Sequence, residues 1–202
     1  MKFLSLRAVA CVVVTAGLAC SEAQHLDELT RQYFEHHNRH DLTSELACFA
    51  DDAVFEMPGW PPLRGKDALR DQFAFDSVLD SEITVGGLRV LADTVIIDSL
   101  TERNDFFRLM GIPEVRYLPG SRLVYRAGQI QKVQSAQILP ADMEATSAAI
   151  ERVLEWLHTA HPELGAEIES GALFHYNAET ANLWLQLLRE WRGSVAGAER
   201  DG

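Results

Sequence analysis

The order of elements along this chain predicts an α+β fold with helices packed on one face of an antiparallel sheet. Two observations carry that prediction. Apolar residues recur at helical spacing in three segments between residues 26 and 75, and from Glu82 to Ile138 the pattern turns to four strand-like runs separated by turn residues. A second helical block then begins at Pro140 and forms an extension beyond the sheet.

In chain order, the first segment reads as a targeting signal. Lys2 and Arg7 make a basic start, and Ala8 to Leu18 is an unbroken run of apolar or small residues, too short for a stable anchor. The run ends in Gly17-Leu18-Ala19-Cys20, which resembles a bacterial lipoprotein signal covering residues 1–19, with cleavage before Cys20 and acylation of its thiol. Gly17 departs from the Leu usual in such boxes. The resemblance implies a lipid-anchored protein of the bacterial envelope, and Ser21 in place of Asp implies the outer membrane. A secretory signal cut after Ala19 is the alternative reading.

Residues 20–25 read as a short tether. Leu26, Leu29, Tyr33 and His37 make the apolar stripe of a helix running to about His40. Asp41 is placed to cap a second helix reaching about Phe49. Asp51-Asp52 read as a polar turn, and Ala53 to Met57 as a short strand broken by Pro58-Gly59-Trp60-Pro61-Pro62. A third helix follows Gly65, from Lys66 to about Phe75. The four strands are Ile83 to Leu91, Thr94 to about Asn104, Val115 to Tyr125 and Ile130 to Ile138. Ala127-Gly128 fits a tight hairpin between the last two, and Phe106 to Pro113 is an apolar insertion between the second and third. In the extension, Ile150, Val153, Leu154 and Leu157 form one stripe and Pro162 breaks it. Asn177 is placed to cap a last helix carrying Ala181, Trp184, Leu185, Leu188 and Trp191 on one side. The divisions expected are a domain over 26–139, a helical extension over 140–194 and a disordered tail over 195–202.

Composition excludes some functions. With 18 basic against 30 acidic residues, a net charge of -12 and no basic stripe, the chain is not suited to nucleic acid. Of three cysteines, Cys11 lies in the signal and Cys20 is the acylation candidate. Cys48 remains without an intrachain partner and reads as a buried, inert thiol. His36 and His40 have the i, i+4 spacing of two metal ligands, but no carboxylate or cysteine motif accompanies them, so a solvated helix face is the reading adopted. No phosphate loop, nucleophile elbow or zinc signature is present, and no cofactor is expected.

Thr101-Glu102-Arg103-Asn104-Asp105 carries the candidate chemistry. On a continued strand Arg103 and Asp105 share a face, and a guanidinium can orient a carboxylate for proton transfer. The same pair also serves as a structural ion pair closing a sheet.

Phe49-Ala50-Asp51-Asp52-Ala53-Val54-Phe55, Gly65-Lys66-Asp67-Ala68-Leu69 and the hairpin strands together resemble the nuclear-transport-factor-2-like (SnoaL-like) superfamily. That resemblance covers about residues 26–139 and implies a cone: a curved antiparallel sheet over three N-terminal helices, closing a pocket open at one end. Met57-Pro58-Gly59-Trp60-Pro61-Pro62-Leu63-Arg64-Gly65 and Thr101 to Asp105 are most similar to its limonene-epoxide-hydrolase branch. On that likeness Arg103 and Asp105 fall on the bridging arginine and the general acid. Ser135 falls where the general-base aspartate belongs, and Phe55 and Met57 where polar residues help hold water. Tyr33 and Ser121 fall on or near ketosteroid-isomerase positions, Tyr33 on the oxyanion tyrosine. A serine is no base at neutral pH, so the likeness supplies only the acid half of a hydrolytic site.

The resulting expectation is a pocket for a small, mostly apolar molecule. Asp105 and Arg103 are the candidate catalytic residues, with Tyr33, Phe55, Met57, Trp60, Ser121, Ser135 and Gln137 as pocket contacts. The chemistry expected is acid/base isomerisation, dehydration or hydrolysis. The alternative is a non-catalytic ligand-binding or assembly module of the envelope. The resemblance also implies a homodimer through the outer sheet face.

Overall fold

A computed structural model describes residues 7–169 and 175–201, with side chains described from Ala23 on except those of residues 166, 169 and 197–201. Cys20 and the expected signal therefore lie outside the described side chains.

Helix α1 (Arg7–Asn38) runs through the stretch expected as a tether and buries the predicted stripe, Leu26, Tyr33 and His37, with Thr30 and Phe34 beside it. Helix α2 (Leu42–Ala47) starts at Asp41, whose carboxylate accepts from the Ser44 amide at 3.1 Å as an N-cap should. Strand β1 (Phe49–Glu56) takes in Asp51 and Asp52, so these residues are strand and not turn. A two-residue strand β2 (Leu63–Arg64) precedes helix α3 (Gly65–Val78).

The sheet continues with β3 (Glu82–Leu91), β4 (Thr94–Arg103), β5 (Val115–Tyr117), β6 (Ser121–Arg126) and β7 (Gln129–Gln134). Its order is β2-β1-β7-β6-β4-β3, with β5 on β4. The antiparallel meander is present, but β1 pairs with β7 in parallel, so the curved, unclosed sheet is mixed and not antiparallel throughout. Hairpin signals report only consecutive strands. A parallel neighbour arrives through a long connection, here everything between β1 and β7, and leaves no local trace. The strand expected over Val115–Tyr125 is split, because Pro119 offers no amide and Gly120 turns at φ +110° before β6 resumes. The fourth strand stops at Gln134, where β1 also ends; the Ser135 amide makes a last bond to Glu56 O at 2.9 Å. The β6–β7 hairpin turns on Ala127 and Gly128, both at positive φ, as a type I′ turn demands.

Two cores result. One lies between the sheet and α1 to α3, around Phe49, Leu69, Ile97, Leu123 and Ile130. The other is built by the extension, α5 (Pro140–Ala160), α6 (Pro162–Glu169) and α7 (Ala178–Asp201), around Val153, Leu157, Leu187 and Leu188. The apolar insertion explains how they join. It forms helix α4 (Asp105–Leu109), and Phe106, Leu109, Met110 and Ile112 pack into the second core. Asp142 on α5 fixes the docking by accepting from the Arg116 amide (2.8 Å) and from its guanidinium (2.7 and 2.9 Å). Helix α7 reaches Asp201, across most of the segment expected as a tail.

Candidate active site

Between the sheet, α1, α3 and the extension lies a cavity of about 760 Å³. Its lining is mostly aromatic and aliphatic, which is what a small apolar ligand requires. Tyr33, Phe55, Met57, Trp60, Ser121, Ser135 and Gln137 all line it. Ser121 is committed locally, accepting from the Ala136 amide at 2.9 Å.

Arg103 and Asp105 are not brought together. The Arg103 guanidinium is exposed and bonds Glu114 at 3.2 Å, and Asp105 opens α4 and holds Arg108 at 2.7 Å. Neither lines the cavity. Period-two alternation from the inward Val95 and Ile97 would put Arg103 inside, but the phase of β4 changes before it gets there. Leu100 joins Val95 and Ile97 against the same core, and Glu102 and Asn104 face the cavity. On β3 the inward set changes phase in step, from Ile83 and Val85 to Leu88 and Val90. The change falls where Gly86 and Gly87 oppose Asp98 and Ser99. Gly87 sits at φ +66°, and a Cβ on Gly86 would come within 2.6 Å of the Ser99 hydroxyl. The glycine pair permits a close crossing at which both strands change phase with their register kept.

The result is a different pair of acidic residues. Helix α3 carries Leu69, Gln72, Phe73 and Asp76 on its inner face, and Asp76 reaches the cavity wall with Gln72 donating to it at 2.9 Å. From β4, Glu102 faces the same cavity and accepts three bonds: Tyr117 Oη at 2.6 Å, Asn104 Nδ2 at 2.7 Å and Ser81 Oγ at 3.3 Å. Asn104 is itself fixed because its Oδ1 caps α4 at the Phe107 amide, 2.8 Å away.

Asp76 keeps some accessible surface but is otherwise ringed by protein. Burial pushes its carboxyl up to about 7, nearby His37 pulls it down, and the charges of Glu102 and Glu45 push it up further. Burial also raises the Tyr33 and Tyr117 phenols, with Glu45 adding to the first and Glu102 to the second, so both stay protonated donors at neutral pH. Behind Asp76, His37 Nδ1 meets Glu45 Oε1 at 2.9 Å, with both side chains almost fully buried. Burial alone would lower His37, but the Glu45 bond and the charges of Glu45, Asp76 and Glu102 outweigh it and raise the imidazole.

The remaining candidates have other partners. His40 bonds Asp80 at 3.0 Å and His36 lies 4.0 Å from Asp41, so the two histidines do not converge. Cys48 is half-buried, donates to the Ser44 carbonyl, and burial pushes its thiol up. No helix among the described residues is long and apolar enough to cross a membrane.

Sequence reasoning missed Asp76 and Glu102. Asp76 had a signal, a carboxylate seven residues after Leu69 on a helix that must bury that face. The Gly86-Gly87 doublet was the signal for Glu102.

Residues 30–116 match the family model of the SnoaL-like domain. Among solved structures, the chain is similar to an LEH-like epoxide hydrolase of M. tuberculosis, at 13% identity and TM-score 0.52, over 66% of this chain and 97% of that one. It is also similar to the epoxide hydrolase/cyclase-like enzyme SalBIII, described for pyran ring formation in the polyether salinomycin. There the identity is 20% and the TM-score 0.52, over 59% of this chain and 94% of that one. At these identities the likeness concerns the fold. No curated protein matches the chain.

Proposed function

Because residues 30–116 match the SnoaL-like domain, we propose that the cavity is a reaction chamber for acid/base chemistry on a small, mostly apolar molecule bearing an oxygen function. One observation carries the proposal: two carboxyl groups stand on the wall of a mostly apolar cavity, in unlike surroundings. Asp76 has one donor and is pushed up to about 7, and Glu102 is held by three donors. Groups whose surroundings differ in this way divide into acid and base. Asp76, protonated below about 7, gives its proton to a substrate oxygen or, once ionised, takes one back. Glu102 is the partner that accepts a proton from water, a hydroxyl or an acidic C–H. In opening an epoxide, the Asp76 proton goes to the ring oxygen as the C–O bond breaks, and the nucleophile's proton goes to Glu102. The base that the sequence lacks at Ser135 is thus supplied from β4.

The test is turnover of epoxides, enones and hydroxy-ketones by the purified chain, with Asp76→Asn and Glu102→Gln beside it. Wild type active on at least one class, with both variants impaired, is the expected result. A wild type inert across the panel, or an Asp76→Asn variant as active as wild type, overturns the proposal. The three bonds already made by Glu102 favour a second reading, a binding module that holds its ligand unchanged. Its mark is an unreacted small molecule recovered by mass spectrometry from protein as purified.

For location, we propose an envelope protein held by lipid on Cys20, resting on the Gly17-Leu18-Ala19-Cys20 boundary. Cys20→Ser expressed in a bacterium is expected to lose palmitate labelling and leave the membrane fraction. A wild type that takes up no label rejects the anchor.

A further inference from the structure

The extension lies outside the matched residues 30–116, yet it forms part of the cavity wall through Met143, Ile150, Tyr176 and Trp184. Of these Tyr176 carries the chemistry, and its place is fixed from both sides. Asn177 caps α7 by accepting from the Thr180 amide at 2.9 Å, and the Thr180 hydroxyl donates to the His175 carbonyl, so the residues flanking Tyr176 are tied to the start of the helix. Its ring meets Phe75 edge-on at 5.1 Å and Trp60 at 5.3 Å. Phe75 is the chain neighbour of Asp76. Trp60, 42% exposed, stands at the cavity rim.

We propose that Tyr176 is a catalytic residue supplied by the extension, its phenol donating a hydrogen bond to the substrate oxygen at which Asp76 exchanges its proton. This rests on the cavity being a proton-transfer site. Unlike the Tyr117 phenol, which is spent on Glu102, that of Tyr176 is bonded to neither carboxyl group among the described residues. Burial and the charges of Asp76 and Glu102 raise it, so it remains a donor throughout the range in which Asp76 titrates. A neutral donor facing the place where negative charge gathers on oxygen is the arrangement that stabilises such charge in a dry site. The matched domain alone does not contain it, which gives the extension a chemical as well as a structural role.

The test uses the full chain and an apolar dimethylamino-naphthyl ketone, a fluorophore whose emission moves to the red when its carbonyl accepts a hydrogen bond. Tyr176→Phe keeps the ring against Phe75 and Trp60 and removes only the hydroxyl, so its urea midpoint serves as the control for packing. The variant is expected to bind the probe about fivefold more weakly, the worth of one neutral hydrogen bond, with emission shifted to the blue. Unchanged emission and affinity in the variant, while Asp76→Asn still abolishes turnover on the panel, overturns the Tyr176 role and leaves the cavity reading standing. A wild type that neither binds the probe nor turns over any member of the panel overturns both.

Discussion

Asp76→Asn is expected to cost about 10²–10⁴ in turnover, the usual worth of a general acid or base, and to make the protein more stable. The second effect follows from the same burial as the first. In the unfolded chain the carboxyl titrates near 3.8, and in the fold it is pushed up to about 7. Below 3.8 both states hold the proton and no penalty exists. As pH rises past 3.8 the unfolded state releases its proton and the folded state does not, so stability falls. The loss is complete above about 7, where it amounts to about 4 kcal/mol. Asparagine has no proton to lose, and its amide oxygen still accepts from Gln72. Urea unfolding at several pH values should therefore show wild type losing stability between pH 4 and 7, with the variant much flatter and ahead of wild type at alkaline pH. A residue kept for folding would not behave this way, whereas a residue kept for chemistry at a cost in stability would. If the variant is less stable than wild type at alkaline pH, Asp76 is a structural anchor and the proposed chemistry loses its acid.

Much of the fold was legible because it is written in local signals. The Tyr33–His37 stripe, the Asp41 and Asn177 caps and the Ala127-Gly128 hairpin each need only a few neighbouring residues, and all four are present. The parallel β1–β7 pairing was not legible, since it joins residues some 78 apart, as Gln134 and Glu56 are. The site divides in the same way. Ser121 and Ser135 are placed by the family likeness, and both line the cavity together with Gln137. Arg103 and Asp105 do not, because β3 and β4 change together, at Gly86 and Gly87 and with their register kept, the side chains they turn inward. The reading named the right pentapeptide, Thr101 to Asp105, and the wrong members of it for the cavity wall. Tyr176 had no readable signal at all: it reaches the cavity only because the extension packs on Phe106 and Leu109 of α4, a contact that no spacing encodes.

Glu45→Ala is expected to destabilise the fold by about 3–5 kcal/mol at acidic to neutral pH, the cost of leaving one member of a buried ion pair alone. His37 and Glu45 have side chains only 4% and 3% exposed, so water cannot take the place of the lost carboxylate. The pH dependence separates charge from packing. The folded imidazole is raised above its usual 6.5, so the stability it contributes is fully present below 6.5 and is lost as pH rises through the folded value. The penalty of the substitution should follow, large at pH 6 and shrinking toward that of one neutral hydrogen bond, about 1 kcal/mol, well above the folded value. The groups that face His37 are Glu45 from α2, Asp76 from α3 and Glu102 from β4, so the effect reaches the cavity. With Glu45 gone the imidazole gives up its charge more easily, so Asp76 loses both the positive neighbour that pulls it down and the Glu45 charge that pushes it up, the His37 effect being the larger of the two. The mid-range titration of Asp76, followed by carboxyl carbon NMR, should therefore move up in Glu45→Ala. A pH-independent penalty with an Asp76 titration that does not rise would mean that His37 is neutral in the fold, and burial with the Glu102 and Glu45 charges would then hold Asp76 up against the Gln72 bond.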